Sequence, residues 1–225
     1  MKGFVFDFDG LIFDTETPNY TVYHELFAEY GYELTLKQWS QIIGTWHADY
    51  DPLDHLVQVA GDHHERADFK KLIDERMDAL LAKQKPMPGV EEFLQKAHSF
   101  NIPMAVASSS PKPWVMDHLE QLGLTRYFQH VLTMDDVSLP KPDPELYHLA
   151  AKRLQITPGE LVACEDSLNG VKSAKSAGFY CIAVPNEMTR EMPLQLADRI
   201  VSSFFDMQLD ELLAFTPEIN SVNHS

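Results

Sequence analysis

Gly3-Phe4-Val5-Phe6-Asp7-Phe8-Asp9-Gly10 is the most informative stretch of this sequence, because an apolar run ends directly at two carboxylates and a glycine. Side chains alternate along an extended strand, so Asp7 and Asp9 should share a face at the end of that strand. Gly10 allows a sharp turn beyond them. One carboxylate of such a pair can attack an electrophile while the other exchanges protons. Taken alone, the stretch fits a surface turn equally well.

Composition limits the classes of function. An apolar content of 44% over 225 residues predicts a globular chain, either one large domain or a core with an insertion. The formal net charge of -16 argues against non-specific binding to nucleic acid or to anionic membranes, so we expect neither as a partner. A phosphate site in such a chain would depend on a local lysine, backbone amides and a metal.

The two cysteines and the N-terminal residues indicate in which cellular compartment the protein is expected. Cys164 and Cys181 each lie in a short apolar run and are expected to be reduced core thiols. Asp7 interrupts the first apolar run too early for a secretory signal, and no transmembrane segment is visible. We therefore expect a cytoplasmic protein.

Residues 17–86 have helical periodicity. Thr17 is predicted to cap the first helix, with Pro18 at its first position. Further helices are predicted near residues 36–43, 52–60 and 65–84. This helical block then ends at the stretch Lys85-Pro86-Met87-Pro88-Gly89, whose prolines and glycine disfavour a helix.

From residue 87 onward, helical patterns alternate with short apolar strands near 103–107, 130–133, 161–164, 180–184 and 199–202. Such alternation predicts an α/β fold, a three-layer Rossmann-like core with a parallel sheet and an inserted α-helical cap domain. Residues 1–16 and 87–225 would form the catalytic core, and residues 17–86 the cap. Ligands should bind at the carboxyl ends of the strands.

Polar clusters follow several of these strands. Ser108 and Ser109 come after the strand near 103–107, where hydroxyls and free amides suit a phosphate, although serine capping of the next helix is the simpler explanation. Lys141 lies between prolines that restrict its backbone and also suits a phosphoryl oxygen, while a solvated loop lysine is the ordinary alternative.

Glu165 and Asp166 follow the strand near 161–164 and bring two further carboxylates to the same edge of the sheet. Helix capping by Asp166 is the structural alternative. Four carboxylates that meet at one edge would need a counter-ion, and magnesium suits them because it binds few carboxylates and can take a further ligand from a phosphate.

These motifs, in this order, resemble those of the haloacid dehalogenase-like hydrolases, and particularly the members with a helical cap that include phosphatases and β-phosphoglucomutases. The resemblance implies that Asp7 is the nucleophile and Asp9 the general acid and base. It implies Mg²⁺ binding by Asp7, the carbonyl of Asp9 and Asp166, with Glu165 acting through a coordinated water. It further implies phosphate binding by Ser108, the amide of Ser109, and Lys141.

The expected function is therefore hydrolysis of a small phosphorylated metabolite through an aspartyl phosphate. A β-phosphoglucomutase-type mutase is the main alternative, but His47 replaces an arginine and Asn19 a histidine that those mutases carry. A regulatory protein without turnover is the second alternative. Candidate substrate contacts from the cap have aromatic or polar side chains: Asn19, Tyr20, Trp46, His47 and Tyr50.

Overall fold

The computed structural model describes residues 1–43, 50–61 and 64–215, and its centre is a six-stranded sheet. Every neighbouring pair of strands is parallel, and their order across the sheet is β3-β2-β1-β4-β5-β6. In the described part of the chain the strands are β1 (Gly3–Phe6), β2 (Met104–Ala107), β3 (His130–Leu132), β4 (Leu161–Glu165), β5 (Tyr180–Ala183) and β6 (Arg199–Ile200). The predicted α/β class is confirmed.

The central strand β1 is buried on both faces, as its uninterrupted apolar sequence predicts. Phe4 and Phe6 pack into one hydrophobic cluster, whereas Val5 between them packs into the cluster on the other face. In register, Phe6 pairs with Val106 of β2 and with Cys164 of β4. The residues that follow these three strands therefore emerge side by side.

Helices cover both faces of the sheet and complete three layers. The first face carries α5 (Val90–Ser99), α6 (Lys112–Gln121) and α9 (Leu209–Ala214), and the second carries α7 (Glu145–Leu154) and α8 (Leu168–Ser176). Both cysteines are free and buried between these layers, as expected.

Between β1 and α5 the chain forms a group of helices with a hydrophobic cluster of its own, which includes Leu26, Phe27 and Trp39. The helices described in this segment are α1 (Glu16–Glu29), α2 (Leu36–Trp39), α3 (Pro52–Ala60) and α4 (Arg66–Leu81). We refer to residues 17–86 as the helical segment. Its status as a separate cap domain stays a prediction.

Several helix boundaries differ from the sequence-based prediction, and the helix predicted over 65–84, for example, spans Arg66–Leu81. Thr17 does not cap α1, which begins at Glu16, because the Asp14 Oδ1 atom already accepts a hydrogen bond from the Thr17 amide. The helix predicted over 36–43 ends at Trp39, and turns follow it. Within the described ranges, none of the helices is both long enough and apolar enough to cross a membrane.

Candidate active site

The polar clusters predicted at separate strand ends meet at the carboxyl edge of the sheet. Because β2, β1 and β4 are neighbours, Asp7, Ser108 and Glu165 end adjacent strands or directly follow them. The segment after β3 brings Lys141 to the same place, where its ammonium lies 2.8 Å from Asp7 Oδ1.

Lys141 is the charged centre of this cluster. Its ammonium donates hydrogen bonds to Asp7 Oδ1 at 2.8 Å and to Glu165 Oε1 at 2.6 Å, and its side chain is only 4% exposed. Burial alone would lower the pKa of Lys141, but the carboxylates of Asp7 and Glu165 outweigh burial and raise it. The lysine therefore stays charged beside Asp7.

Glu165 lies deeper than the other carboxylates and is fully buried. Its Oε1 accepts hydrogen bonds from Lys141 and from the hydroxyl of Tyr147. Burial and the negative charge of Asp7 raise the pKa of Glu165 to about 8. The carboxylate rests directly on Gly170, where an added Cβ would lie 1.8 Å from Oε2, so a larger residue at that position would displace Glu165.

Asp7, Glu165 and Asp166 form a group whose members each offer one oxygen within 4.8 Å of the others. Burial and the charges of Asp7 and Glu165 raise the pKa of Asp166 well above its usual range. The Oε2 atom of Glu165 is buried and has no hydrogen-bond partner in the described part of the chain. Closely spaced carboxylates with a free oxygen fit a hard divalent cation, which would relieve their mutual repulsion.

Asp166 is oriented by a residue from a distant loop. The side-chain amide of Asn186 donates hydrogen bonds to Asp166 Oδ2 at 2.8 Å and to the Gly10 carbonyl at 2.9 Å. Gly10 has a positive φ of +77°, and a Cβ there would lie 2.5 Å from Asp166 Oδ2. Glycine therefore permits both the turn after Asp9 and the close approach of Asp166.

Asp9 is held by three donors on or near α6. Its Oδ2 accepts from the hydroxyls of Ser110 at 2.6 Å and Ser108 at 3.2 Å, and its Oδ1 accepts from the Trp114 indole at 2.9 Å. Burial raises the pKa of Asp9 and the charge of Asp7 adds to this, although the three hydrogen bonds act in the opposite direction. The raised pKa favours the protonated form of Asp9 relative to an ordinary aspartate, as a group that donates a proton requires.

The two serines predicted to bind phosphate have different positions. Ser109 lines the cavity described below, and its hydroxyl accepts a hydrogen bond from the Lys141 amide at 3.3 Å. Ser108 is completely buried behind it, where its hydroxyl accepts from the Ser110 amide and donates to Asp9. Ser108 therefore orders the loop in this conformation.

A cavity of about 760 Å³ lies between this cluster and the helical segment. Asp7, Asp9, Lys141 and Asp166 line its floor. The helical segment contributes polar and apolar side chains to the cavity, among them Asn19, Tyr23, Ile42, Ile43, Lys70, Ile73, Asp74, Met77 and Asp78. The site is thus a chamber between two parts of the chain, a common place for a small-molecule ligand.

The substrate contacts predicted in the helical segment differ in their position relative to the cavity. Asn19 lines the cavity. Tyr20 instead donates its hydroxyl to the Leu34 carbonyl, and Tyr50 forms a hydrogen bond with His55; neither is among the described residues of the cavity wall. Trp46 and His47 lie outside the described residues.

Several residues at the site had no predicted role. Ser110 and Trp114 act on Asp9, Tyr147 on Glu165, and Asn186 on Asp166. Only Ser110 carried a sequence signal, since it belongs to the serine run at a strand end. The others come from helices or loops whose approach depends on tertiary packing.

Glu16 was also not predicted, although it lies six residues after Gly10 and lines the cavity. Burial raises the pKa of Glu16 to about 8, and the charges of Asp9, Asp14 and Asp7 add to the effect. At neutral pH this half-buried carboxyl therefore holds its proton in the folded protein and loses it on unfolding.

Replacing Glu16 with glutamine should remove part of the pH dependence of stability. A carboxyl whose folded pKa is raised makes the free energy of unfolding fall as the pH rises from about 4.5 to about 8. We expect Glu16→Gln to match the wild type near pH 5 and to be more stable at pH 8.5, as measured by urea unfolding in EDTA. Glu25→Gln, an exposed position on the same helix, is the control. Equal slopes for wild type and Glu16→Gln would contradict the prediction.

Comparison with known proteins gives a consistent result. The family model for haloacid dehalogenase-like hydrolases matches residues 4–184. A Bacillus subtilis protein named "Putative phosphatase YhcW" is 41% identical over 99% of this chain and 100% of its own length. The phosphorylated carbohydrates phosphatase of Thermotoga maritima is 34% identical over 80% of this chain and 82% of its own length.

Among solved structures, CbbY from Rhodobacter sphaeroides in complex with phosphate superposes with a TM-score of 0.73 at 27% sequence identity. The match covers 96% of this chain and 100% of that one. The similarity therefore extends over the helical segment as well as the sheet.

Proposed function

Because the chain belongs to the haloacid dehalogenase-like hydrolases and is an enzyme of their phosphatase type, we propose that it hydrolyses small sugar- or polyol-phosphate-like monoesters in a Mg²⁺-dependent reaction. The observation that carries this proposal is the contact of Lys141 with Asp7 on the floor of a partly open cavity. A fixed ammonium beside a carboxylate can neutralise part of the charge of an incoming phosphoryl group.

In the first step, an Asp7 carboxylate oxygen forms a bond to phosphorus, and the bond from phosphorus to the ester oxygen breaks. Asp9 gives its proton to the departing alcohol oxygen, which its raised pKa supports. In the second step, water attacks the aspartyl phosphate, Asp9 takes a proton from that water, and the Asp7 carboxylate is released with inorganic phosphate.

Lys141, Ser109 and the metal site would hold the phosphoryl oxygens. Lys141 and Ser109 line the cavity, which supports their assignment, whereas phosphate contact by Ser108 stays a prediction because its hydroxyl is bonded to Asp9. Asp7, Asp166 and the Asp9 carbonyl would ligate Mg²⁺, with Glu165 acting through a coordinated water. The cation would supply charge neutralisation for the phosphoryl oxygens.

The substrate class follows from the chamber and from the relatives. A cavity of about 760 Å³ with polar walls suits a small polyhydroxylated molecule. The Thermotoga relative is named for phosphorylated carbohydrates. In this proposal residues 17–86 act as the cap over a core of residues 1–16 and 87–225, and substrate enters when the cap opens.

Plain hydrolysis is favoured over phosphate transfer between two positions of a sugar. A mutase must hold a second phosphate, and no arginine lines the cavity among the residues that the structure describes. Lys70, the cavity lysine from the helical segment, is already paired with both oxygens of Asp74 at 2.7 Å.

A panel of phosphomonoesters assayed for phosphate release with and without Mg²⁺ tests the proposal. We expect release from several sugar or polyol phosphates, and loss of that release in EDTA. Conversion of β-glucose 1-phosphate to glucose 6-phosphate without free phosphate would support the mutase instead. Absence of turnover across the whole panel would overturn the catalytic proposal in favour of a regulatory phosphate-binding protein.

A further inference from the structure

Tyr147 is a buried polar side chain that the mechanism above does not use. It lies in the first turn of α7, six residues after Lys141, and it is completely buried. It is not among the described residues that line the cavity. Any effect on the reaction must therefore pass through its neighbours.

Tyr147 contacts both Lys141 and Glu165, which form a buried ion pair. Its hydroxyl donates to Glu165 Oε1, which is the same oxygen that accepts from Lys141 at 2.6 Å. The Lys141 ammonium also lies 5.3 Å from the centroid of the Tyr147 ring. A cation at that distance from an aromatic face is attracted to it.

The protein core fixes the orientation of this tyrosine. Its ring packs edge-on against Phe179, with the ring centroids 5.1 Å apart, inside the hydrophobic cluster between the sheet and α7 and α8. Movement of the hydroxyl would require the ring to shift against buried neighbours. Glu165 thus has a rigid donor, whereas its other oxygen has no partner in the described ranges.

We propose that Tyr147 is a positioning residue that fixes Glu165 and, through it, the Lys141 ammonium beside Asp7. This proposal rests on the proposed function and explains how the Lys141 ammonium stays oriented toward Asp7. Oε1 of Glu165 receives two donors and Oε2 receives none, so the Tyr147 hydroxyl and the Lys141 ammonium together fix the orientation of the carboxylate plane. Without the Tyr147 hydroxyl, the Glu165 carboxylate loses one of these two donors and its plane can tilt, which shifts both the metal site and the Lys141 ammonium.

Tyr147→Phe tests this inference because it keeps the ring and removes only the hydroxyl. We expect kcat to fall about tenfold or more, with a smaller change in KM. The affinity for Mg²⁺, measured by calorimetry on the metal-free protein, should fall about tenfold, the lower end of the effect of residues that surround a metal site without binding the metal. Tyr127→Phe is the matched control. Tyr127 is a buried tyrosine in the cluster on the other face of the sheet, with its hydroxyl bonded to Arg126. Its kcat and Mg²⁺ affinity should stay at the wild-type values.

Wild-type kcat and Mg²⁺ affinity in Tyr147→Phe would overturn the inference, whatever its melting temperature. Equal losses in Tyr127→Phe would also overturn it, since they would indicate a general effect of losing a core hydroxyl. Should Tyr147→Phe fail to fold, Phe179→Leu carries the test, because it loosens the ring but keeps the hydroxyl, and unchanged Mg²⁺ affinity there would contradict the inference. Failure of the proposed function would appear separately, as absence of phosphate release by the wild type, while calorimetry still reports on Tyr147.

Discussion

Asp7→Asn is expected to abolish phosphate release, with kcat reduced on the order of a thousandfold or more, as for loss of a covalent nucleophile. The amide cannot form the aspartyl phosphate, and the side chain also contributes to the proposed metal site. The fold should persist, because asparagine has nearly the same shape and removes one of three crowded carboxylates. Steady-state phosphate release and thermal melting in EDTA measure the two effects, and we expect only a small change in melting temperature, because Lys141 keeps its hydrogen bond to Glu165.

Asp117→Asn provides the control, since Asp117 is exposed on α6 and has no part in the proposed reaction. Its kinetics should match those of the wild type. Retained turnover in Asp7→Asn would refute the assignment of Asp7 as the nucleophile. A large loss of stability in the same variant would show that its loss of activity cannot be read as loss of a nucleophile.

The sheet was predictable because each strand has a local signature. The apolar runs and their alternation with helices predict a parallel sheet, and the polar residues at the strand ends indicate which edge carries ligands, whereas the strand order came from the structure. Asp7 and Lys141 are separated by 134 positions. Asp7 directly follows a buried strand, whereas Lys141 lies nine residues after β3, and its place at the site was implied by the resemblance to the family rather than by its position after a strand. The motif residues could therefore be found from the sequence.

The supporting residues have no such signature. Trp114 and Tyr147 have the periodicity of ordinary core-facing residues of α6 and α7, and only tertiary packing directs their polar atoms to Asp9 and Glu165. Asn186 lies in a loop after β5, where its approach to Asp166 depends on the register of two neighbouring strands. Competition between local hydrogen bonds explains the misplaced start of α1, since Asp14 rather than Thr17 provides the accepting side chain.

Lys141→Met is expected to cost both activity and stability. The substitution removes the buried cation that contacts Asp7 and Glu165 and leaves their charges uncompensated. Breaking a buried ion pair from one side typically destabilises by about 3 kcal/mol or more. Phosphate release should fall by at least about a hundredfold, since a preorganised donor to the phosphoryl oxygens is lost as well. Lys2→Met at the exposed pair with Glu160 is the control and should have little effect on stability, because solvent screens that pair.

The pH dependence distinguishes charge compensation by Lys141 from simple packing. The folded pKa of Lys141 is raised, so its contribution is fully present below the unfolded pKa near 10.5 and is lost only as the pH rises through the folded value. Between pH 5.5 and 8.5 the lysine itself is therefore constant, and the change comes from the carboxyls. Glu165 already has a pKa of about 8, and without Lys141 its ionised form is still less favourable. The stability deficit of Lys141→Met, measured by urea unfolding in EDTA, should therefore be smaller at pH 5.5 than at pH 8.5, and an equal deficit at both would show that packing rather than charge holds this lysine in place.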